Sequence, residues 1–222
     1  MIDGFRNPSD ATTCLPEDLL LLCARSARSA RRDDGRIRQP VYLPHALAGA
    51  VLVELLFAGA LRFDDKRLHL DGNPPLGHPS LAAAATTLLP SLSGPRGARI
   101  STCLVRLRRR PGARPFLDSL TTAGLVRRDE TRLLGFIPVA SHTLTDPSIR
   151  AHRVSRIDAA LASPATANPR DLALATLAAT VDLTNHLHPT RPDRPTRRLL
   201  TDLTRADPIS SAVATSIRRA RT

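Results

Sequence analysis

Residues 96–139 read RGARISTCLVRLRRRPGARPFLDSLTTAGLVRRDETRLLGFIPV, and both fold and function turn on how this stretch is parsed. Ile100, Leu104 and Leu107 recur at helical spacing, while Arg99, Arg106, Arg109 and Arg110 share an arc of about 100° on another face. Pro111 and Gly112 stop that helix, and Pro115 opens a second short one, PFLDSLTTA, which Gly124 ends. LVRR then reads as a strand, DE as a turn and RLLGFIPV as the return strand. Between residues 96 and 132 ten arginines face only Asp118, Asp129 and Glu130, a surplus of seven positive charges. That is more than half of the chain's net +12. A basic helix beside an apolar hairpin predicts attraction to an anionic surface rather than catalysis.

The rest of the composition frames this reading. A chain of 222 residues with 42% hydrophobic content is long enough to bury a real core in one domain. With 3% aromatic residues and no Trp, Leu, Ala and Val must build that core, which favours helices. Lys66 is the sole lysine, so the positive charge is almost all guanidinium. Cys14, Cys23 and Cys103 stand at unrelated spacings, with no disulfide framework and no zinc pattern. The N-terminus MIDGFRNPSD has no apolar segment of a signal peptide, and no stretch approaches the ~20 apolar residues of a membrane span. A cytoplasmic protein, peripherally associated with the inner face of the membrane, is expected.

Taken in order, residues 1–13 read as a disordered N-terminus, and Pro16 with Glu17 and Asp18 opens a leucine-rich helix. LPHALAGAVLVELLFA, from Leu43 to Ala58, is the most apolar helix; Ala46, Gly49 and Ala50 leave room for a close neighbour, and Gly59 ends it. ALRFDDKRLHL reads as strand, turn and strand. A short helix from Leu81 to Leu89 is expected to end at Pro90. Further helices run from Asp146-Pro147 to Ala162 and from Pro169 to about His186, then over RRLLTDLTRA. The expected fold is mainly α: a single helical domain over 14–205 with two small β-hairpins, one protruding, and a C-terminal segment, 206–222, free to fray.

LPEDLLLLCA, ALAGAVLVELLFAGALRF and LTTAGLVRRDETRLLGFIPVASHTLTDP together resemble the Golgi phosphoprotein 3 family, which has actinobacterial members. The resemblance runs roughly from Leu15 to Asp182. It implies a helical domain with a protruding hairpin, a basic pocket for the headgroup of phosphatidylinositol 4-phosphate, and apolar hairpin residues pressed into the bilayer. One pocket arginine matches Arg110; a second falls near Ala113, with Arg114 beside it; a third falls near Ala48; the pocket tryptophan falls near Gln39. Arg106, Arg36 and Arg38 add charge nearby, so the candidate headgroup set is Arg38, Gln39, Arg106, Arg110 and Arg114. Leu133, Leu134, Phe136 and Ile137 are the candidate inserting residues. Two of four expected contacts are thus missing, which implies docking on anionic membranes with loose headgroup selectivity. The implied partners are anionic phospholipid, phosphoinositide among them, and a protein cargo; no cofactor is implied.

Competing chemistry finds little support in the residues. No G-x-S-x-G, phosphate-binding loop, G-x-G-x-x-G or H-E-x-x-H occurs. His186 and His188 form a bare H-x-H pair, short of a metal pattern, and Glu54 on the apolar helix reads as a structurally paired carboxylate. No catalytic and no metal residue is assigned. The alternative is a winged-helix-like nucleic-acid regulator, since helix–Gly–strand–turn–strand also closes that motif. Pro111, Gly112 and Pro115 break its candidate recognition helix.

Overall fold

Helix α2 (Leu43–Phe57) is buried along almost its whole length, as a helix without a polar face must be. The computed structural model describes residues 13–25, 35–64, 67–109, 112–133, 137–188 and 190–222, with backbone alone at 131–133 and 137–139. Around α2 pack α1 (Leu15–Leu22), α4 (Ile100–Arg109), α7 (Pro169–Thr180) and α9 (Pro208–Arg221). The outer helices are α3 (Pro79–Leu92), α5 (Arg114–Thr122), α6 (Ser148–Ala162) and α8 (Arg194–Ala206). Gly49 sets the tightest approach: a Cβ there would lie 2.7 Å from Val213 Cγ2 and 2.9 Å from Leu177 Cδ2. The expected close neighbour of α2 is therefore α9 together with α7.

Strands β1 (Leu61–Asp64) and β2 (Arg67–Leu70) form the first hairpin, and β3 (Ala98–Arg99) adds a short third strand beside β2. Gly97 permits that addition, because at its φ of +57° a Cβ would come within 2.4 Å of the Leu68 carbonyl. The second hairpin is β4 (Val126–Leu133) with β5 (Ile137–Leu144). The mainly helical class with two small antiparallel hairpins is as the sequence predicts.

Five details differ from expectation. Asp129 and Glu130 are not a turn: they pair with Ser141 and Ala140 inside β4–β5, whose pairing runs on to Leu133 and Ile137. Along the strand Arg127 pairs with Asp129 at 2.8 Å and Arg128 with Glu130 at 3.1 Å, so charges two residues apart neutralise each other on each face. Helix α3 continues through Pro90 to Leu92. Only its last turn lies beyond the proline, the proline side is solvent-exposed, and Leu92 is buried. The helix opened by Pro169 ends at Thr180; Asp182, at φ 60°, breaks it before a 3₁₀ turn over Leu183–His186. The leucine-rich helix, expected to run on through the stretch LPEDLLLLCARSARSA, ends at Leu22, and Ala24 bridges to Ile37. Lastly, 206–222 is not a frayed tail. Asp207 caps α9 by accepting from Ser210 N at 2.7 Å, and Ile209, Val213 and Ile217 are buried. The expected disorder of residues 1–13 falls almost wholly outside the described residues, but Thr13 itself is buried and donates to Asp18 at 2.5 Å.

Two charged ties hold α1 in place. Asp18 and Arg153 of α6 are both essentially inaccessible and meet at 3.2 Å. Glu54 takes Arg170 bidentately, at 2.6 and 3.0 Å, and also accepts from Leu15 N. The odd carboxylate of the apolar helix is thus a structural partner, as read from the sequence.

Candidate functional site

Helix α4 buries Ile100, Cys103, Leu104 and Leu107 and carries Arg106, Arg108 and Arg109 in its last turn. Cations are favoured there by the negative end of the helix dipole. Arg106 and Arg109 are exposed. Arg108 instead turns inward, where its Nη1 donates to His45 Nε2 at 2.8 Å. Burial, and then the Arg108 charge, hold the His45 pKa below its ordinary value. His45 is therefore neutral with its proton on Nδ1, where the Tyr42 backbone is the opposing influence that favours the ring's proton.

Beyond the 110–111 connection α5 begins at Arg114 with no side chain capping its N-terminus. Arg114 is highly exposed and only loosely engaged by Asp118, at 3.8 Å. Uncapped backbone N–H groups beside a guanidinium favour an anion. The loop before α2 runs beside the second hairpin. Leu144 N donates to Gly35 O at 2.9 Å and Ile37 N to His142 O at 2.8 Å, so 35–37 lies along the edge of β5. Arg38 and Gln39 follow, both exposed, and the loop then delivers Tyr42 and His45 to the basic end of α4. Tyr42 also carries Arg221 of α9 over its ring, at 5.0 Å.

The hairpin's base is buried at Val126 and Leu144, whereas Arg127, Arg128, Glu130 and Ala140 are exposed. Leu133 pairs with Ile137 at the far end. Arg110, Leu134 and Phe136 lie outside the described residues, and at Leu133 and Ile137 only the backbone is described. Ala48, where the resemblance expects an arginine, is 2% exposed inside α2 and faces the core. The structure brings Arg108, His45 and Tyr42 together, a group that sequence reasoning missed. His45 and Arg108 are 63 residues apart, and nothing local announces their contact.

Among the described residues the three thiols are buried and held protonated. Burial pushes the Cys103 thiol up to about 11 and the Cys23 thiol up to about 12; burial and the Glu17 carboxylate raise Cys14 as well. Among the described residues Cys14, Glu17 and His78 gather closely enough to suggest a metal site. However, Ser80 N donates to His78 Nδ1 at 3.1 Å, which leaves the proton on Nε2. That nitrogen faces Glu17 at 3.1 Å and Ser119 at 3.0 Å as a donor. A metal needs the lone pair that this tautomer lacks. His188 of the H-x-H pair is engaged by Asp158 at 2.9 Å.

Among the described residues no helix is long and apolar enough to cross a membrane. No curated protein matches the chain. The family model described as Golgi phosphoprotein 3 (GPP34) matches residues 15–220, almost the whole length. With its buried central helix, basic α4 and long second hairpin, the chain belongs to the Golgi phosphoprotein 3 family.

Proposed function

We propose that this chain docks reversibly on anionic phospholipid membranes, with the arginines around α4 and α5 holding the headgroup and the second hairpin dipping its tip into the bilayer. The observation that carries this reading is the register of the second hairpin. Leu133 pairs with Ile137 at its far end, and Leu134 and Phe136 stand between them in sequence. The arms behind that tip carry paired charges, Arg127 with Asp129 and Arg128 with Glu130, suited to water or headgroups.

Magnitudes fit a reversible dock. Each arginine close to an anionic surface contributes on the order of 1 kcal/mol. A tip burying roughly 100–200 Å² adds about 2.5–5 kcal/mol. Neither suffices alone, and together they give exchangeable binding. Guanidinium forks suit a phosphomonoester such as a phosphoinositide 4-phosphate. Alanine at 48 and glutamine at 39 loosen the choice of headgroup more than the general attraction. The chain on the membrane would act as an adaptor, presenting its outer helices to a protein cargo.

Vesicle binding by variants tests the two halves separately. Arg110→Ala with Arg114→Ala should lower binding to anionic vesicles several-fold and leave the melting temperature nearly unchanged; unfolding instead would make these arginines structural. Phe136→Asp should weaken vesicle binding without lowering affinity for a soluble headgroup. Unchanged sedimentation of that variant would refute insertion.

A further inference from the structure

On the side of α9 turned away from α2, a cleft of about 460 Å³ opens between the 3₁₀ turn, α8 and α9. Its lining holds Arg197 and Arg205 from α8 and Arg218 and Arg221 from α9, against Asp182 as the one acidic residue lining it. The spacing explains the convergence. Arg197, Thr201 and Arg205 recur every four residues along α8, and Ala214, Ile217 and Arg221 at intervals of three and four along α9, so each helix turns one face into the gap. Leu200 and Ile217, both buried, form an apolar floor beneath this basic rim.

The arginines are not equally engaged. Arg205 pairs with Asp202 at 3.4 Å, and Arg218 donates to Thr215 at 3.0 Å. Arg221 is shared between Asp182, at 3.5 Å, and the Tyr42 ring. Arg197 has no ion-pair partner within 4 Å and no side-chain hydrogen bond among the described residues. With Asp202 beside Arg205 and Asp182 beside Arg221, the four arginines keep a surplus of two positive charges, at Arg197 and Arg218. The C-terminal dipole of α9 eases the crowding of Arg218 and Arg221, but does nothing for Arg197 in the first turn of α8, where a cation is disfavoured.

We infer that this cleft binds a phosphomonoester, with Arg197, Arg218 and Arg221 as the guanidinium ligands and Asn185 and Thr201 as hydrogen-bonding neighbours. A dianion answers a twofold surplus better than a single carboxylate does, and planar forks match its oxygens. Volume and composition are those of a small-molecule site: an apolar floor with a few polar groups placed around it. The phosphomonoester comes either as a small free molecule or as the exposed head of a lipid, and the chemistry is the same. This inference is tested apart from hairpin docking: none of α4, α5 and the hairpin lines the cleft, and Arg221, which touches Tyr42, is left unchanged in the test variant.

The test is titration of the full chain with glycerol 3-phosphate at physiological salt, followed by calorimetry and by amide shifts in NMR spectra, with glycerol as the uncharged control. Saturable binding is expected, with shifts centred on residues 182–185, 197–205 and 211–221. Arg197→Gln with Arg218→Gln, both exposed positions, should weaken it by roughly tenfold or more. Arg62→Gln with Arg127→Gln, removing the same charge elsewhere, should not. Sedimentation with phosphatidic acid against phosphatidylglycerol vesicles separates the sources. If the cleft variant loses the preference for phosphatidic acid, the ligand is a lipid head; if it loses only glycerol 3-phosphate, the ligand is free. Non-saturable binding, equal affinity in the cleft variant, or shifts centred on α4 would overturn the assignment, whatever the hairpin variants do on vesicles.

Discussion

Among the arginines of α4, Arg108 behaves unlike its neighbours, because its position flanks the apolar stripe of Leu104 and Leu107 and its stem can lie along that surface. Its guanidinium then meets a neutral imidazole, and each fixes the other's state. Since the unfolded chain protonates His45 near the ordinary value of about 6.5 and the folded chain only at lower pH, folding stability falls as pH drops below about 6.5. Above that range both states are neutral and the effect vanishes. His142, held down by burial and then by Arg128, acts in the same direction. An NMR titration should place His45 below the ordinary value, and Arg108→Gln should move it upward, because the opposing charge is gone. A His45 resonance that titrates at or above the ordinary value in the parent chain would contradict the neutral pair.

At the level of elements, α1 is tied to its neighbours by charge as well as by leucine. Replacing Arg153 with Leu would leave Asp18 buried without its closest charged partner, and removing one member of a buried pair costs about 3–5 kcal/mol. Chemical denaturation should show a loss of that size, and a loss under about 1 kcal/mol would mean that Arg156, 3.6 Å from the same carboxylate, carries the tie. The helices themselves were legible, because Pro16, Pro44, Pro115, Pro169 and Pro208 open them and Gly59 and Gly124 close two of them. Gly49 likewise announced a close helix contact, though not that α9 would make it. Elsewhere local signals misled. Asp129-Glu130 looks like a turn until the two-residue spacing of its arginines is seen in a strand, and Pro90 looks like a stop until one notices that little helix remains to be broken. In α9 the apolar residues Ile209, Val213 and Ile217 are few, and Ile209 and Val213 gain their place from Gly49 of α2, which lies far away in sequence.

Across the whole molecule the same division holds for the candidate site. The basic arc of α4 and the apolar run near residue 135 were visible as patterns, whereas Tyr42 with Arg221 and His45 with Arg108 are contacts that only the tertiary fold creates. A chain of net +12 will be drawn to any polyanion, so attraction alone decides nothing. Docking that combines arginines with an inserted tip should resist salt better than purely electrostatic binding, which fades as the Debye length shrinks. The most direct measurement is co-sedimentation at physiological salt with vesicles that are neutral, or carry phosphatidylglycerol, phosphatidylserine, phosphatidylinositol or its 4-phosphate, with duplex DNA as competitor. The expected result is pelleting with every anionic lipid, strongest with the 4-phosphate and little reduced by DNA. Failure to pellet with any of them, or complete displacement by DNA, would contradict membrane docking and favour a nucleic-acid partner.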